Sequence, residues 1–520
     1  MQTVETDVLI VGSGFGAAAP AKRLAEAGFR VTVIEKGPRL DPSRDFRQTQ
    51  DPKYLLHYLK GISGEGLHLT YAEALGGGSG FYEMVSLRAP SQAFQQLDQS
   101  GHRLWPAGVD RRALDPYYDI ADAMLKVEQI APGDVPKSGL VFALMMRRLG
   151  YSCERARYAV RGCVGSGFCV TGCIYGAKQT LLQNYLPQAV AAGATVETDL
   201  DARLISPVGN VGGTARGGSI HELPWRYEVV CRRRDQGGRL VRFRTRLLML
   251  AGGTVGTAKL LLNSRAHLPG LSDQVGRNIA FNGSVKAVGL LPDALPDGDM
   301  FSGRTHPGMI SYEFLAQRGI TISAGKVMPI QAVAAARLRL EGDSREPWYW
   351  GGPNVELMRK FRHRMMALVS FGMTPPLGRL TARPNGEFDL SLESSDDLRA
   401  YYQETKQLLE SILRRNDCRI VEASFVNGEG APHPGLYFST AHQVGSCRMA
   451  DAKSGGVVDA SGEVFDYSGL YVTDGAAVPS SLAVNTSLTI LANAERIASG
   501  LLGRYAAGRP AVIAGRGAGE

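Results

Sequence analysis

The segment Asp7-Val8-Leu9-Ile10-Val11-Gly12-Ser13-Gly14-Phe15-Gly16-Ala17 constrains this chain more than any other. An apolar run that breaks into closely spaced glycines reads as a buried strand entering a tight turn ahead of a helix. Gly12 permits the turn, and Gly14 lets backbone approach a pyrophosphate. Ala17, small in place of a third glycine, keeps the helix close to the sheet. Free N–H groups and the positive end of the helix dipole then hold phosphates. A second strand, Arg30-Val31-Thr32-Val33-Ile34, ends at Glu35, 21 positions beyond Gly14. A carboxylate there accepts hydrogen bonds from a ribose diol and repels a 2′-phosphate. Strand, turn, helix, strand and acid in register predict a bound dinucleotide; the alternative is a glycine-rich turn without a ligand. Pro20 falls inside the predicted helix, where proline costs about 3 kcal/mol beyond the first turn. A shifted helix start or a local bend is expected there.

A chain of 520 residues is long enough for two or more cores. Its 44% hydrophobic and 21% charged residues are ordinary for a soluble globular protein. No apolar run reaches the roughly 18 residues of a spanning helix. The first strand begins too close to Met1 for a signal peptide, so a cytoplasmic protein is expected. The net charge of +8 invites a nucleic-acid partner, which the distribution argues against. The densest basic stretch is Arg232-Arg233-Arg234 followed by Arg239, Arg242, Arg244 and Arg246. The last three alternate with other residues, as on the exposed side of a hairpin strand. Seven cysteines, an odd number, predict reduced thiols rather than a disulfide framework.

The turn at Gly12 does not separate NAD from FAD. Two further segments extend the site. Leu75-Gly76-Gly77-Gly78-Ser79-Gly80 suits backbone packed against a flat ring or a phosphate, or a flexible loop. Leu247-Leu248-Met249-Leu250-Ala251-Gly252-Gly253-Thr254 reads as a buried strand entering a small-residue turn, with a helix from Thr257 to Asn263. Together they suit a long cofactor lying across several turns.

Oxidising an alcohol removes a proton from oxygen and a hydride from carbon. A histidine, with an ordinary pKa of about 6.5, suits the proton. A neighbouring amide can hold the alcohol oxygen in place. His442 lies in Thr440-Ala441-His442-Gln443-Val444-Gly445; the other eight histidines read as structural. Asn485 alone reads as an N-cap for a helix from about Leu488 to Ala498.

These segments, in this order, resemble the glucose–methanol–choline (GMC) FAD-dependent oxidoreductases, most of all their cholesterol-oxidase-like branch. The matching pieces include the Gly12 turn with Glu35, Gly76-Gly77-Gly78-Ser79, Trp105-Pro106 and Leu114-Asp115-Pro116-Tyr117-Tyr118. Gly162-Cys163 through Lys178, Asn184-Tyr185-Leu186, Ala251-Gly252-Gly253-Thr254, His442 and the stretch from Tyr471 to Ile490 complete the set. The resemblance implies an α/β FAD-binding domain, Rossmann-like and of the glutathione-reductase type. An α+β substrate domain built on an antiparallel sheet is interleaved with it. It implies FAD as cofactor, an alcohol as substrate, and O2 or another acceptor for the electrons. It makes His442 and Asn485 the catalytic pair, base and oxygen-positioning group. It implies cofactor contacts from Gly12, Gly14, Phe15, Gly16, Ala17, Glu35, Lys36, Gly77, Gly78 and Ser79. Val196, Gly252, Asp474, Gly475 and Thr486 join them, with Val196 near the adenine end and Asp474 at a ribityl hydroxyl. The family usually has proline where Thr486 stands, and Tyr82 lies near an asparagine of some relatives, so that contact is not carried over.

The implied FAD-binding domain comprises residues 1–90, 155–285 and 436–510, the substrate domain 91–154 and 286–435, and 511–520 a frayed tail. Within the substrate segment, Gly319–Ser323 and Glu387–Leu392 read as strands and Asp396–Arg414 as a helix. Trp348-Tyr349-Trp350 and Met365-Met366-Ala367-Leu368-Val369 could line an apolar pocket or form ordinary core. The branch favours a bulky sterol- or terpenoid-like alcohol; the alternatives are a sugar or aminoglycoside hydroxyl, or an iron–sulfur-linked flavin dehydrogenase subunit. Cys163, Cys169 and Cys173 crowd into eleven residues. Three thiolates fall short of a closed zinc site. Some flavin dehydrogenase subunits hold an iron–sulfur cluster at similar spacing, but packing is the expectation here and no metal is inferred.

Overall fold

Strand Leu240–Leu250 is where the beginning, middle and end of the chain meet. One edge runs parallel to Gln2–Val11 along nearly its whole length. Its other edge is shared: Leu240–Thr245 pairs antiparallel with Tyr227–Arg232, and Leu248–Leu250 pairs parallel with Leu470–Val472. Strands Val31–Ile34 and Thr195–Glu197 continue the sheet beyond Gln2–Val11, both parallel, and Leu200–Pro207 closes the opposite side. Val8, Leu9, Ile10, Val33 and Leu247 to Met249 have no accessible surface. Such unbroken apolar runs belong to parallel strands covered on both faces. The computed structural model describes residues 1–47, 52–209, 211–212, 218–299, 303–325, 337–342, 351–424 and 436–505.

Helix Phe15–Glu26 begins directly after Gly14 and runs unbroken through Pro20, so its start is not shifted. Ala17, Ala18, Ala19, Pro20 and Ala21 are all buried. These small side chains let the helix lie close to the sheet and to helix Ser487–Tyr505. Arg23 and Glu495 join the two helices by an ion pair of 2.8 Å, and the Tyr185 hydroxyl donates to Glu495 at 2.7 Å.

The basic hairpin is only partly solvated. Arg242 and Arg244 are half-buried and pair with Glu228 on the neighbouring strand. Arg246 departs from the expected exposed row. It lies over the Trp225 ring at 4.1 Å and reaches Asp7 at 3.2 Å, because it stands where the hairpin enters the buried half of the sheet.

A second seven-stranded sheet is antiparallel throughout, in the order Arg337–Leu340, Arg419–Ser424, Lys286–Leu290, Met365–Gly372, Ile320–Gly325, Met309–Ser311, Glu154–Arg155. Helix Asp396–Arg414, capped by Ser395 onto the Leu398 amide at 3.1 Å, covers one face with Leu409 and Leu413. Ala287 and Gly289 turn toward that helix. Val288 and Leu290 turn the other way, where Phe361 of helix Gly352–Arg364 covers them together with Met365 and Ala367. This opposite face is open at its other end, where Lys286, Val369 and Phe371 keep accessible surface. The predicted strand at 319–323 is Ile320–Gly325, the one at 387–392 is Phe388–Leu392, and the helix is as expected. Trp348-Tyr349-Trp350 and residues 511–520 lie outside the described residues. Among the described residues no helix is long and apolar enough to cross a membrane.

Candidate active site

His442 stands in the short gap between two strands, Phe438–Thr440 and Val444–Ser446. The first is paired with Leu67–Leu69 and the second with Arg277 and Ala280, so the intervening turn is pinned at both ends. The His442 amide donates to Thr440 Oγ1 at 2.9 Å, which sets the turn. Across from it, residues 482–484 are clamped by Asn282, whose Nδ2 donates to the Val484 carbonyl and whose Oδ1 accepts from the Leu482 amide, both at 2.7 Å. Thr321 donates to the Ala483 carbonyl at 2.6 Å, and Ala483 holds a left-handed φ of 56°. Asn485 is delivered by this clamp: its Nδ2 lies 3.1 Å from His442 Nε2. The Phe371 ring packs beside the imidazole at 5.0 Å between centroids.

The imidazole is enclosed by protein on nearly every side yet keeps accessible surface, so that surface faces an internal recess. Burial, reinforced by the Lys286 cation, pushes its pKa down to about 4. It is therefore neutral at pH 7. An amide that donates to Nε2 fixes the remaining ring proton on Nδ1 and leaves Nε2 as the basic atom. His306, also pushed down to about 4 by burial and secondarily by His442, is the opposite case. Its Nδ1 accepts from the Gly308 amide and the Tyr158 hydroxyl, and its Nε2 bonds Ser323 Oγ at 2.9 Å. Every polar atom of that ring is occupied, which makes it structural.

The glycine segments come together beside this pair. A Cβ on Gly12 would sit 2.2 Å from the Ala251 carbonyl oxygen, and one on Gly16 would sit 2.5 Å from the Asp474 Cα. The first turn is thus pressed against both the Ala251–Gly253 turn and the Asp474–Gly475 turn. Gly77 meets Gly14 in the same way, at 2.9 Å, whereas Gly78 has open space in front of it. Gln443 ties the base to this cradle: Thr254 donates to its carbonyl at 3.0 Å, and its Nε2 donates to the Thr70 carbonyl at 2.7 Å. Among the described residues its buried Oε1 has no partner.

Several sequence-predicted contacts are already engaged within the protein. Glu35 accepts from Ser13 Oγ at 2.6 Å, from the Gly37 amide at 2.8 Å and from the Ser13 amide. That leaves about one of a carboxylate's four acceptor positions. Burial raises its pKa, opposed by these bonds. Asp474 accepts from the Gly253 amide and Thr257 Oγ1, both at 2.6 Å, and from the Ala476 amide at 2.8 Å. It anchors the start of helix Gly253–Asn263, and burial raises its pKa to about 6. Ser79 is spent on the Gly76 carbonyl and the Leu181 amide. Lys36 is turned outward to Glu73 at 2.6 Å. Phe15 packs edge-on against Tyr82, Val196 pairs with Val33, the Gly252 amide donates to Thr257 Oγ1 at 3.1 Å, a Cβ on Gly475 would sit 3.5 Å from the Gln443 carbonyl oxygen, and Thr486 is buried.

Ser13, Asn282, Gln443 and Lys286 were missed. Ser13 carried a signal in hindsight: the residue between two turn glycines faces the acid that ends the next strand, and its hydroxyl also accepts from the Gly76 amide at 2.9 Å. Met365, Met366, Ala367 and Leu368 are core, and Val369 alone of that stretch reaches the site face. All seven cysteines are free thiols. Cys163, Cys169 and Cys173 line a small cavity with Lys178 and Arg304. Among the described residues no three His, Cys, Asp or Glu side chains are grouped to hold a metal ion.

A molecule with two seven-stranded sheets, clustered glycine turns and an imidazole–carboxamide pair beside them fits an oxidoreductase. The GMC oxidoreductase family models match residues 6–282 and 381–494, more than half of the chain, and the protein belongs to that family of flavin-dependent enzymes acting on alcohols. It is similar to the cholesterol oxidase of Mycobacterium tuberculosis, 29% identical over 95% of this chain and 90% of that protein. The cholesterol oxidase of Acinetobacter baumannii is 26% identical over 95% and 94%. A long-chain-alcohol oxidase of Arabidopsis thaliana is 23% identical over 95% of this chain and 68% of its own length. Among solved structures, pyridoxine 4-oxidase from Mesorbium loti superposes with a TM-score of 0.66 over 95% of this chain and 99% of that one, at 16% identity, and so shares the fold.

Proposed function

We propose that the protein oxidises the carbinol group of an alcohol to a carbonyl with FAD as cofactor, His442 acting as base and Asn485 positioning the hydroxyl. The observation that carries this reading is the 3.1 Å approach of Asn485 Nδ2 to the unprotonated Nε2 of a buried, neutral histidine. FAD fits the chain's own groups. The Gly12, Gly77 and Gly252 turns expose backbone where no side chain intervenes, Glu35 keeps an acceptor position for a ribose hydroxyl, and buried Gln443 Oε1 awaits an N–H donor. Bound there, the flavin supplies the acceptor for the hydride that leaves the carbinol carbon.

The protein's residues manage the rest. The substrate hydroxyl enters between the imidazole and the carboxamide and donates to His442 Nε2, while Asn485 Nδ2 turns its bond to the hydroxyl oxygen. That geometry holds the carbon hydrogen in one direction. As the carbinol hydrogen departs with its electron pair, the hydroxyl proton passes to Nε2, giving the carbonyl. Phe371 and the pinned 440–444 turn keep the ring from rotating away. The similarity to cholesterol and long-chain-alcohol oxidases supports a bulky, largely apolar alcohol, with O2 or another acceptor taking the electrons onward. The purified protein is expected to be yellow, and H442A to slow anaerobic flavin reduction by about 10²-fold or more. An unchanged rate would remove His442 as the base.

A further inference from the structure

Lys286 stands on the face of the antiparallel sheet that looks toward His442. Lys286 opens strand Lys286–Leu290 and is paired with Val369, which is in turn paired with Ser323. Phe371, two residues beyond Val369 and on the same side of the strand, touches the His442 ring. Lys286 and Phe371 therefore project from neighbouring strands toward the same recess. The lysine keeps substantial accessible surface, and burial of its surroundings still lowers its pKa. Its charge is felt at His442.

Among the described residues the Lys286 amine forms no ion pair or hydrogen bond; Glu83 is the acid whose field reaches it, at longer range, and Glu83 is also felt by Lys178 and Tyr158. Burial depresses the lysine pKa, and Glu83 only partly opposes this. An enclosed ammonium without a counter-ion is costly, and the cost is relieved when an anion arrives. Around it the lining is apolar: Val369 and Phe371 on the neighbouring strand.

We infer that Lys286 is a specificity residue that binds an acidic substituent of the substrate, so that the alcohol has an apolar body and carries a carboxylate or a similar anionic group close to its carbinol. This inference rests on the alcohol-oxidising reading above and narrows its substrate class. A neutral sterol or long-chain alcohol would leave the ammonium stranded against hydrocarbon. An anionic one satisfies it with a charge-assisted hydrogen bond while Val369 and Phe371 cover the apolar part.

The test separates recognition from turnover. Holoenzyme is titrated with 4-methylbenzoate, 4-methylbenzenesulfonate and neutral 4-methylbenzamide, read by the flavin absorbance change and independently by thermal shift. Wild type is expected to bind the anions about tenfold or more tightly than the amide, because a hydrogen bond to a charged group contributes about that much or more. K286M is expected to lose the preference and K286R to keep it. Equal affinity for anion and amide, no anion binding, or a preference that survives in K286M would overturn the assignment. Anaerobic flavin reduction by 4-(hydroxymethyl)benzoate and its methyl ester is run alongside, with the acid expected to reduce the flavin at lower concentration. If the anions bind through Lys286 but no alcohol reduces the flavin, alcohol oxidation falls while the anion subsite stands.

Discussion

His442 is neutral at pH 7 and free to accept a proton because of its surroundings. Enclosure and the Lys286 charge keep the ring unprotonated, and Asn485 keeps its Nε2 directed toward an incoming hydroxyl. With a folded pKa of about 4, the flavin-reduction rate is expected to stay nearly flat from pH 8 down to 5 in anaerobic stopped-flow, with no acid limb near the 6.5 of a free histidine. N485D should move the acid limb upward by about 1–3 units, since a carboxylate at this distance favours the imidazolium, and should lower the rate at pH 7. N485L, which removes the bond without adding charge, should slow reduction and leave the limb in place. Gly16 makes a separate residue-scale prediction. A methyl group there would meet the Asp474 backbone, which cannot swing aside, so G16A should cost about 1–3 kcal/mol and weaken flavin retention. The meeting of His442 and Asn485 was legible in the sequence through the family resemblance. Lys286 was not, because a lysine opening a strand reads as solvated until the sheet register sets it beside Phe371.

The first and last helices are held to one another by a buried carboxylate. Glu495 is 1% exposed at its side chain and takes both Arg23 and the Tyr185 hydroxyl. Removing one member of such a group strands the others, so E495A should cost about 3 kcal/mol in urea unfolding, and Y185F less. Helix Asp396–Arg414 is the clearest case of an element read from local signals. Ser395 caps it, two acids open it, and Leu409 and Leu413 recur at the spacing of one face. L409A is expected to destabilise by about 2–5 kcal/mol by leaving a cavity against the antiparallel sheet. Pro20 taught the reverse. Local rules predicted a disturbed helix start, yet the helix begins on schedule, because packing between the sheet and helix Ser487–Tyr505 outweighs one lost amide bond. Arg246 erred for a related reason: alternation assigns it an outward side but not the Trp225 ring and Asp7 waiting there.

Across the molecule, strand Leu240–Leu250 stitches the start and end of the chain into one sheet, and the cradle turns at Gly12, Gly252 and Asp474 all leave that sheet together. Acid should loosen it in a definite way. His306 and His442 have folded pKa values lowered to about 4. Their contribution is complete above about 6.5 and is lost as pH falls toward 4. Asp474, raised to about 6, acts in the other sense: its stabilising protonated form is lost as pH rises through that value. Two histidines against one carboxyl give a Tm that falls between pH 6.5 and 4, and H306Q should flatten that slope. The sequence alone determined the glycine turn, the acid that follows it and the long capped helix. Each of these is written in neighbours along the chain, through allowed backbone angles, periodicity and capping. Tertiary structure decided which distant groups stand beside them: Ser13 bonded to Glu35, Asn282 gripping residues 482–484, Asp474 holding a helix start, and Lys286 facing the base. Those meetings depend on strand register and on which face is buried, and such through-space relations emerge only when the sheets assemble.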